Sequence, residues 1–250
     1  MATLVHNWRF EQNLNDSIGT TNFVGSGVTY SAGSIPRSPY CINPGSDIHT
    51  NAYASTGVFY GNPLQFTVSF WFKADDNIGF DQFTTVNSYE PEHNEITIRF
   101  DSTSVYFAYY ERILGGFANQ EYYTGSFTSL THGQWYNLIY TFDSTLSGNR
   151  CKIYINNVEK TLSKYTSGAA LTFANSWGVN EIWAFYGSHA LDDIRFYTGV
   201  VDSTERASIN SGQMAVPLIT NIDPFFEIQS SSLLIIDGEN FLGDTPTILL

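Results

Sequence analysis

Strict alternation of apolar and polar residues dominates this chain. In Leu64-Gln-Phe-Thr-Val-Ser-Phe-Trp-Phe-Lys73, Phe66, Val68, Phe70 and Phe72 share one face, and Thr67, Ser69, Trp71 and Lys73 share the other. That is the period-two signature of a strand. Residues 95–100 and 105–110 alternate in the same way around Asp101–Ser104, which predicts a strand pair joined by a turn. Near the start, Leu4, His6, Trp8 and Phe10 oppose Val5, Asn7 and Arg9. Residues 133–143 and 150–160 predict two more strands, the second folding back at Asn156-Asn157, where asparagine tolerates positive φ. Gly19 to Pro39 reads as a loop with short strands and Asp75 to Gln82 as a polar loop. Gly115-Gly116 and Gly125 read as breaks.

A second period appears once. After Ala190-Leu-Asp-Asp-Ile-Arg-Phe-Tyr197, a half-buried strand with Ile194 and Phe196 on its apolar face, Thr198-Gly199 makes a turn. Asp202 then stands three residues before Glu205, a capping box opening the one convincing helix. Two adjacent aspartates on a half-buried strand need partners or a cation.

Composition agrees with an all-β protein: of 250 residues, 16% are aromatic and 14% charged, with 20 glycines. A net charge of −13 with only 11 Lys and Arg disfavours nucleic acid and other polyanions. It suits solubility, calcium binding or a neutral ligand. No apolar run approaches the ~20 residues of a membrane span. Residues 1–10 do not read as the charged n-region and apolar h-region of a secretory signal. Either a signal has been removed, or the protein reaches its destination without the secretory pathway, as a virion component released by lysis would. The expected location is a virion surface or the extracellular space. Cys41 and Cys151 are too few for a disulfide framework and read as two buried thiols, a bridge remaining open.

Five ordered blocks carry a family resemblance: Trp8-x-Phe10 with Asn13-Leu-Asn-Asp-Ser17, Phe66-Thr-Val-Ser-Phe-Trp71, Trp135 to Asp143, Tyr154 to Asn157, and Leu191-Asp-Asp-Ile-Arg-Phe-Tyr197. Together they resemble the LamG-like, pentraxin-like jelly rolls of the concanavalin A-like lectin/glucanase superfamily. The resemblance implies an antiparallel β-sandwich over residues 1–212. Residues 213–216 then form a linker. Pro217-Leu-Ile-Thr-Asn-Ile-Asp-Pro224 and Leu233 to Phe241 resemble the start of an IPT/TIG immunoglobulin-like domain, so 217–250 is expected to be an incomplete β segment.

The chemistry divides three ways. Glucanases of the superfamily carry a Glu-x-Asp-x-(x)-Glu strand, and no such run occurs, nor any hydrolase or phosphate-binding motif. Glu90-Pro-Glu-His-Asn-Glu95 is nearest and suits a solvated acidic loop. The chain is therefore expected not to be an enzyme, a glycoside hydrolase or lyase being the least favoured alternative. Many LamG-like domains hold one structural calcium. The resemblance implies that Asp192 or Asp193 would supply a carboxylate to it, with Glu11, Asn13 or Asp16 supplying others. The competing use is that Asp193 pairs with Arg9 or Arg195 and Asp16 caps a turn. Glycans stack on aromatic faces beside amides and carboxylates. The candidates are Trp177, Trp183, Tyr186, Tyr89 and Tyr110, with Tyr106, Tyr122 and Tyr123 in the same variable middle. Packing is the competing role for each, and Trp183 or Phe185 is expected in the core.

The expected function is a non-enzymatic surface module that binds glycans or a protein partner. Its expected setting is a larger assembly, as a bacteriophage decoration or fibre or as an adhesin. A purely structural decoration without sugar binding is the alternative.

Overall fold

A computed structural model describes residues 2–25, 28–33, 39–43, 48–50, 65–73, 81–86, 93–100, 104–113, 116–126, 130–167, 181–184, 190–212, 218–221 and 237–239. Its strands are β1 (Thr3–Trp8), β2 (Phe23–Gly25), β3 (Thr29–Ala32), β4 (Tyr40–Asn43), β5 (Ile48–Thr50), β6 (Gln65–Lys73), β7 (Asp81–Val86), β8 (His93–Phe100) and β9 (Ser104–Ile113). They continue with β10 (Gly116–Ser126), β11 (Trp135–Asp143), β12 (Cys151–Ile155), β13 (Val158–Lys160), β14 (Ser163–Ser167), β15 (Glu181–Ala184) and β16 (Leu191–Thr198). Helix α1 (Ser203–Asn210) follows, then β17 (Leu218–Asn221) and β18 (Asp237–Glu239).

Sixteen of these strands make two eight-stranded antiparallel sheets. Sheet one runs β13-β12-β11-β6-β16-β4-β3, with β1 also on β16; sheet two runs β14-β10-β9-β8-β7-β15-β5-β2. This is the expected all-β sandwich. The inner faces meet in an aromatic core. Trp8, Phe66, Val68, Phe70, Phe72, Tyr140, Phe142 and Phe196 come from sheet one, and Phe23, Val105 and Tyr123 from sheet two. Phe66 stacks on Phe196 at 5.7 Å between ring centroids, so the strand that opens the aromatic run is locked to the closing one. The pair β17 and β18 forms a small separate ladder.

The strands follow the alternation, with differences from expectation in β6, β1 and β10, and at Asp81-Gln82 and His93–Glu95, which read as loop but lie in β7 and β8. In β6 the apolar side is core as read, yet Thr67 and Ser69 on the other side are also fully buried. A central strand covered on both faces explains this. In β1 a bulge between Leu4 and His6 changes the register against β16. Leu4 therefore packs outside the sheet with Ile139, Tyr197, Val201 and Ile209, while Trp8 enters the core. Gly125 does not break a strand but lies within β10. A Cβ there would meet the Thr161 carbonyl and Leu162, so only glycine permits that approach.

Local turn chemistry behaves as read. Asn156 and Asn157 take φ +49° and +63°, the two positive values that a tight hairpin between β12 and β13 requires. Asp202 caps α1, accepting from Thr204 and Glu205 N–H groups, and Glu205 accepts from the Asp202 N–H. Cys41 and Cys151 are free, buried thiols on separate strands. Burial raises the Cys151 thiol well above its ordinary value, with the Glu121 charge adding to it, so it stays protonated.

Candidate functional site

Two regions carry the side chains singled out by sequence. The first lies where β1 and the following loop meet β16. Between Asp192 and Arg195 the register of β16 against β6 shifts, and Asp193 takes φ +49°. The bulge keeps both aspartates buried and turns Asp193 onto its own strand. Arg195 Nε donates to Asp193 Oδ1 at 3.0 Å, and Arg195 Nη2 lies 2.6 Å from Oδ2. Burial by itself would lower the Arg195 guanidinium; the Asp193 carboxylate reverses this and holds it above the ordinary arginine value.

Asp16 is satisfied in another way. It accepts from the Asn7 N–H at 3.0 Å, the Ile18 N–H at 3.1 Å and the Thr21 N–H at 3.4 Å, and lies 2.5 Å from His6 Nδ1. Burial pushes its carboxyl up, but the His6 and backbone hydrogen bonds outweigh burial and hold it below the usual value. Glu11 lies 3.5 Å from Arg9, and Asn13 bonds the Glu11 carbonyl and the Asn15 N–H.

Calcium takes six to eight oxygen ligands. Here both Asp193 oxygens face Arg195, both Asp16 oxygens face N–H donors, and the Asn13 oxygen is used by Asn15. Among the described residues no group of three His, Cys, Asp or Glu is arranged to hold a metal ion. In this arrangement the side-chain oxygens of Asp193, Asp16 and Asn13 are engaged by protein donors.

The second region is the outer face of sheet two. The ladder fixes which positions share it. Tyr123 and Val105 are core, so their strand neighbours at 122, 124 and 106 fall on the opposite face. The described residues on that face agree: Tyr106 is half-buried and Tyr165 is 51% exposed. Register then carries the face across the sheet. Tyr165 pairs with Tyr122, Tyr122 with Ala108, Ala108 with Thr97, Thr97 with Thr84, and Thr84 with Trp183. A parallel row runs Tyr106, Arg99, Gln82, and another runs Gln120, Tyr110, Glu95, Val86.

Of the glycan candidates, Trp183 and Tyr110 thus occupy the same face of one sheet, far apart in sequence. The core positions of β15 are those of Ile182 and Ala184, which pair with Thr85 and Phe83 opposite Trp183's side. Tyr123 is not available: it is 1% exposed, and its hydroxyl donates to Glu121. Burial and the neighbouring Glu121 push its phenol far above the ordinary tyrosine value. Trp177, Tyr186, Tyr89 and Phe185 lie outside the described residues. Tyr165, Gln82 and Arg99 were not singled out by sequence. Their signal is the alternation of β14, β7 and β8, but it marks a shared face only when the strands are in register.

Comparison with known proteins bears on the fold. The botulinum neurotoxin type G receptor-binding domain superposes with a TM-score of 0.56 at 13% identity, covering 85% of this chain and 52% of that one. The binding domain of botulinum neurotoxin DC, solved with rat synaptotagmin II and with SialylT, gives 0.56 and 0.53 at 12% identity. These two cover 88% of this chain and 54% and 53% of theirs. Trypanosoma rangeli sialidase gives 0.53 at 10% identity, covering 83% of this chain and 32% of that one. The chain therefore spans about half the length of the toxin domains it matches and a third of the sialidase. No curated protein matches by sequence. The Laminin_G_3 family model, described as concanavalin A-like lectin/glucanases superfamily, matches residues 47–205. By that match over more than half its length, and by its paired antiparallel sheets, the chain belongs to the concanavalin A-like lectin/glucanases superfamily.

Proposed function

We propose that this chain is a non-enzymatic recognition module that binds a glycan on the outer face of sheet two. The observation that carries the reading is the register of that sheet, which collects Tyr165, Tyr122, Tyr106, Tyr110 and Trp183 on one face among Gln and Thr positions. Aromatic faces stack on the C–H faces of sugar rings, while amides and hydroxyls meet their hydroxyl groups. Solved domains of the same fold include one determined with SialylT and one with a protein, synaptotagmin II, which supports a binding role for such a scaffold.

A binding role also accounts for the buried carboxylates. Asp193 is held by Arg195, Asp16 by His6 and backbone N–H groups, and Glu121 by Arg150, Lys164 and Tyr123. Each is committed to structure rather than poised for acid–base chemistry on a sugar. Calcium forms no part of the proposal, because Asp16 and Asp193 are engaged by protein donors. The setting we propose is a larger assembly, a virion decoration or fibre or an adhesin. It is supported by the IPT/TIG-like sequence after residue 217.

A glycan array probed with the purified chain tests the reading. Binding above background that is lost in Tyr165→Ala, with the far-ultraviolet spectrum unchanged, supports it. No binding to any glycan overturns it in favour of a structural decoration.

A further inference from the structure

The net charge of the whole chain conceals a local exception. Residues 150–164 hold Arg150, Lys152, Lys160 and Lys164 against one acid, Glu159. They contain three of the four lysines of a chain that carries −13. They form β12, β13 and the start of β14, at one lateral edge of the sandwich. β13 ends the order of sheet one, and β14 ends that of sheet two. Only Thr161 and Leu162 join them, so a single run of chain makes this edge of both sheets.

Register assigns the sides. Lys160 stands opposite Ile153 and Lys164 opposite Tyr123, and both of those partners are core. The two lysines therefore lie on the inward sides of their strands, where the space between the sheets opens laterally. Lys164 and Arg150 share the one carboxylate of Glu121, at 2.9 and 2.7 Å, which leaves a positive excess there. Lys160 adds to it, while Lys152 lies 3.5 Å from Glu159. Thr161, Ser163, Tyr165 and Thr166 are exposed, and among the described residues β14 pairs with β10 alone. Such an edge presents N–H and C=O groups to any chain that can lie beside it.

We infer that this edge takes an extended acidic segment of a partner protein as an added strand on β14, its alternate carboxylates directed at Lys160 and Lys164. Added strands gain affinity from main-chain hydrogen bonds and selectivity from alternate side chains. Period two puts the segment's intervening side chains on the outward side, beside Tyr165, which is 51% exposed. A second copy of this chain is a poorer occupant, because pairing β14 with itself brings like-charged lysines onto the same side of the joint. A long polyanion is poorer too. The field of these cations reaches ~8 Å at physiological ionic strength, and the chain as a whole is acidic. The inference stands apart from the glycan reading, although Tyr165 borders both surfaces.

Fluorescence anisotropy with labelled peptides of about six residues, Glu alternating with Val or Tyr, tests this against a series with Lys in place of Glu. The expected result is binding of the acidic series that weakens about tenfold or more between about 0.05 and about 0.5 M salt. Lys160→Glu, at a position outside the Glu121 node, is expected to remove binding with an unchanged melting temperature. N-methylation of alternate peptide nitrogens removes main-chain donors and is expected to weaken binding about tenfold or more. Equal binding of the acidic and basic series, or indifference to N-methylation at either set of alternate positions, overturns the inference. Heparin binding that is lost in Lys160→Glu, with no peptide bound, overturns it in favour of a polyanion. If neither binds and Lys160→Val self-associates in sedimentation, the inference falls and the lysines serve to keep copies apart.

Discussion

The carboxylate of Asp16 gathers the N–H groups of Asn7, Ile18 and Thr21 and the His6 ring, and so ties the first strand to the loop that follows it. Gly19 is required beside it, since a Cβ there would collide with Asp16 and His6. Its folded-state pKa lies below the unfolded one, so its contribution to stability is present above the unfolded value and lost as pH falls through the folded value. Asp16→Asn is expected to lower the melting temperature at pH 7, and the gap from the natural chain should close below about pH 4. Thermal scans from about pH 2 to about pH 8 measure it. That Asp16 would serve a turn was one of the uses legible in sequence. Its partnership with His6 was not, because it depends on how the loop folds back onto β1.

Among elements, the closing strand and helix were the most legible. Asp202 and Glu205 form the capping box that their spacing announced, and α1 lays Ile209 over Ile139, Tyr154 and Tyr197 on the outside of sheet one. Arg206 sits 4.1 Å from the Tyr154 ring centroid, so the helix adds a cation–π contact to its apolar seat. Asp202→Ala is expected to cost about 1 kcal/mol in urea unfolding, the usual range for losing such a cap. A loss near zero would mean that packing alone holds the helix. The bulge at Asp193 was not legible. Alternation in Asp193, Arg195 and Tyr197 describes a flat strand, whereas the extra residue appears only when β16 is set against β6.

At the scale of the whole molecule, an ionic node around the buried Glu121 carboxylate joins the two sheets. Glu121 of sheet two accepts from Tyr123, lies 2.9 Å from Lys164 of its own sheet, and lies 2.7 Å from Arg150, which leads into β12 of sheet one. The Arg150 N–H also bonds the Tyr123 hydroxyl at 3.1 Å. Removing one partner of a buried pair leaves the others desolvated and uncompensated. Glu121→Gln is therefore expected to cost about 1–3 kcal/mol, since Arg150 and Lys164 stay partly hydrated, with cooperative unfolding retained. Urea unfolding followed by fluorescence measures it, and a cost below about 1 kcal/mol would show that the node behaves as a surface pair.

The sequence by itself determined the strongly alternating strands β1, β6, β9, β11, β12 and β16, the Asn156-Asn157 hairpin, the capped helix and the family, because each rests on local periodicity, turn chemistry or contiguous motifs. Only the tertiary structure decided which positions meet across strands. Trp183 and Tyr122 share a row through three intervening strands, and Asp193 finds Arg195 through a bulge. Side-chain period in a strand is two, so a one-residue change of register exchanges its faces, and no single strand records the register of its neighbour. The proposed binding face and the fate of the paired aspartates both belong to that non-local information.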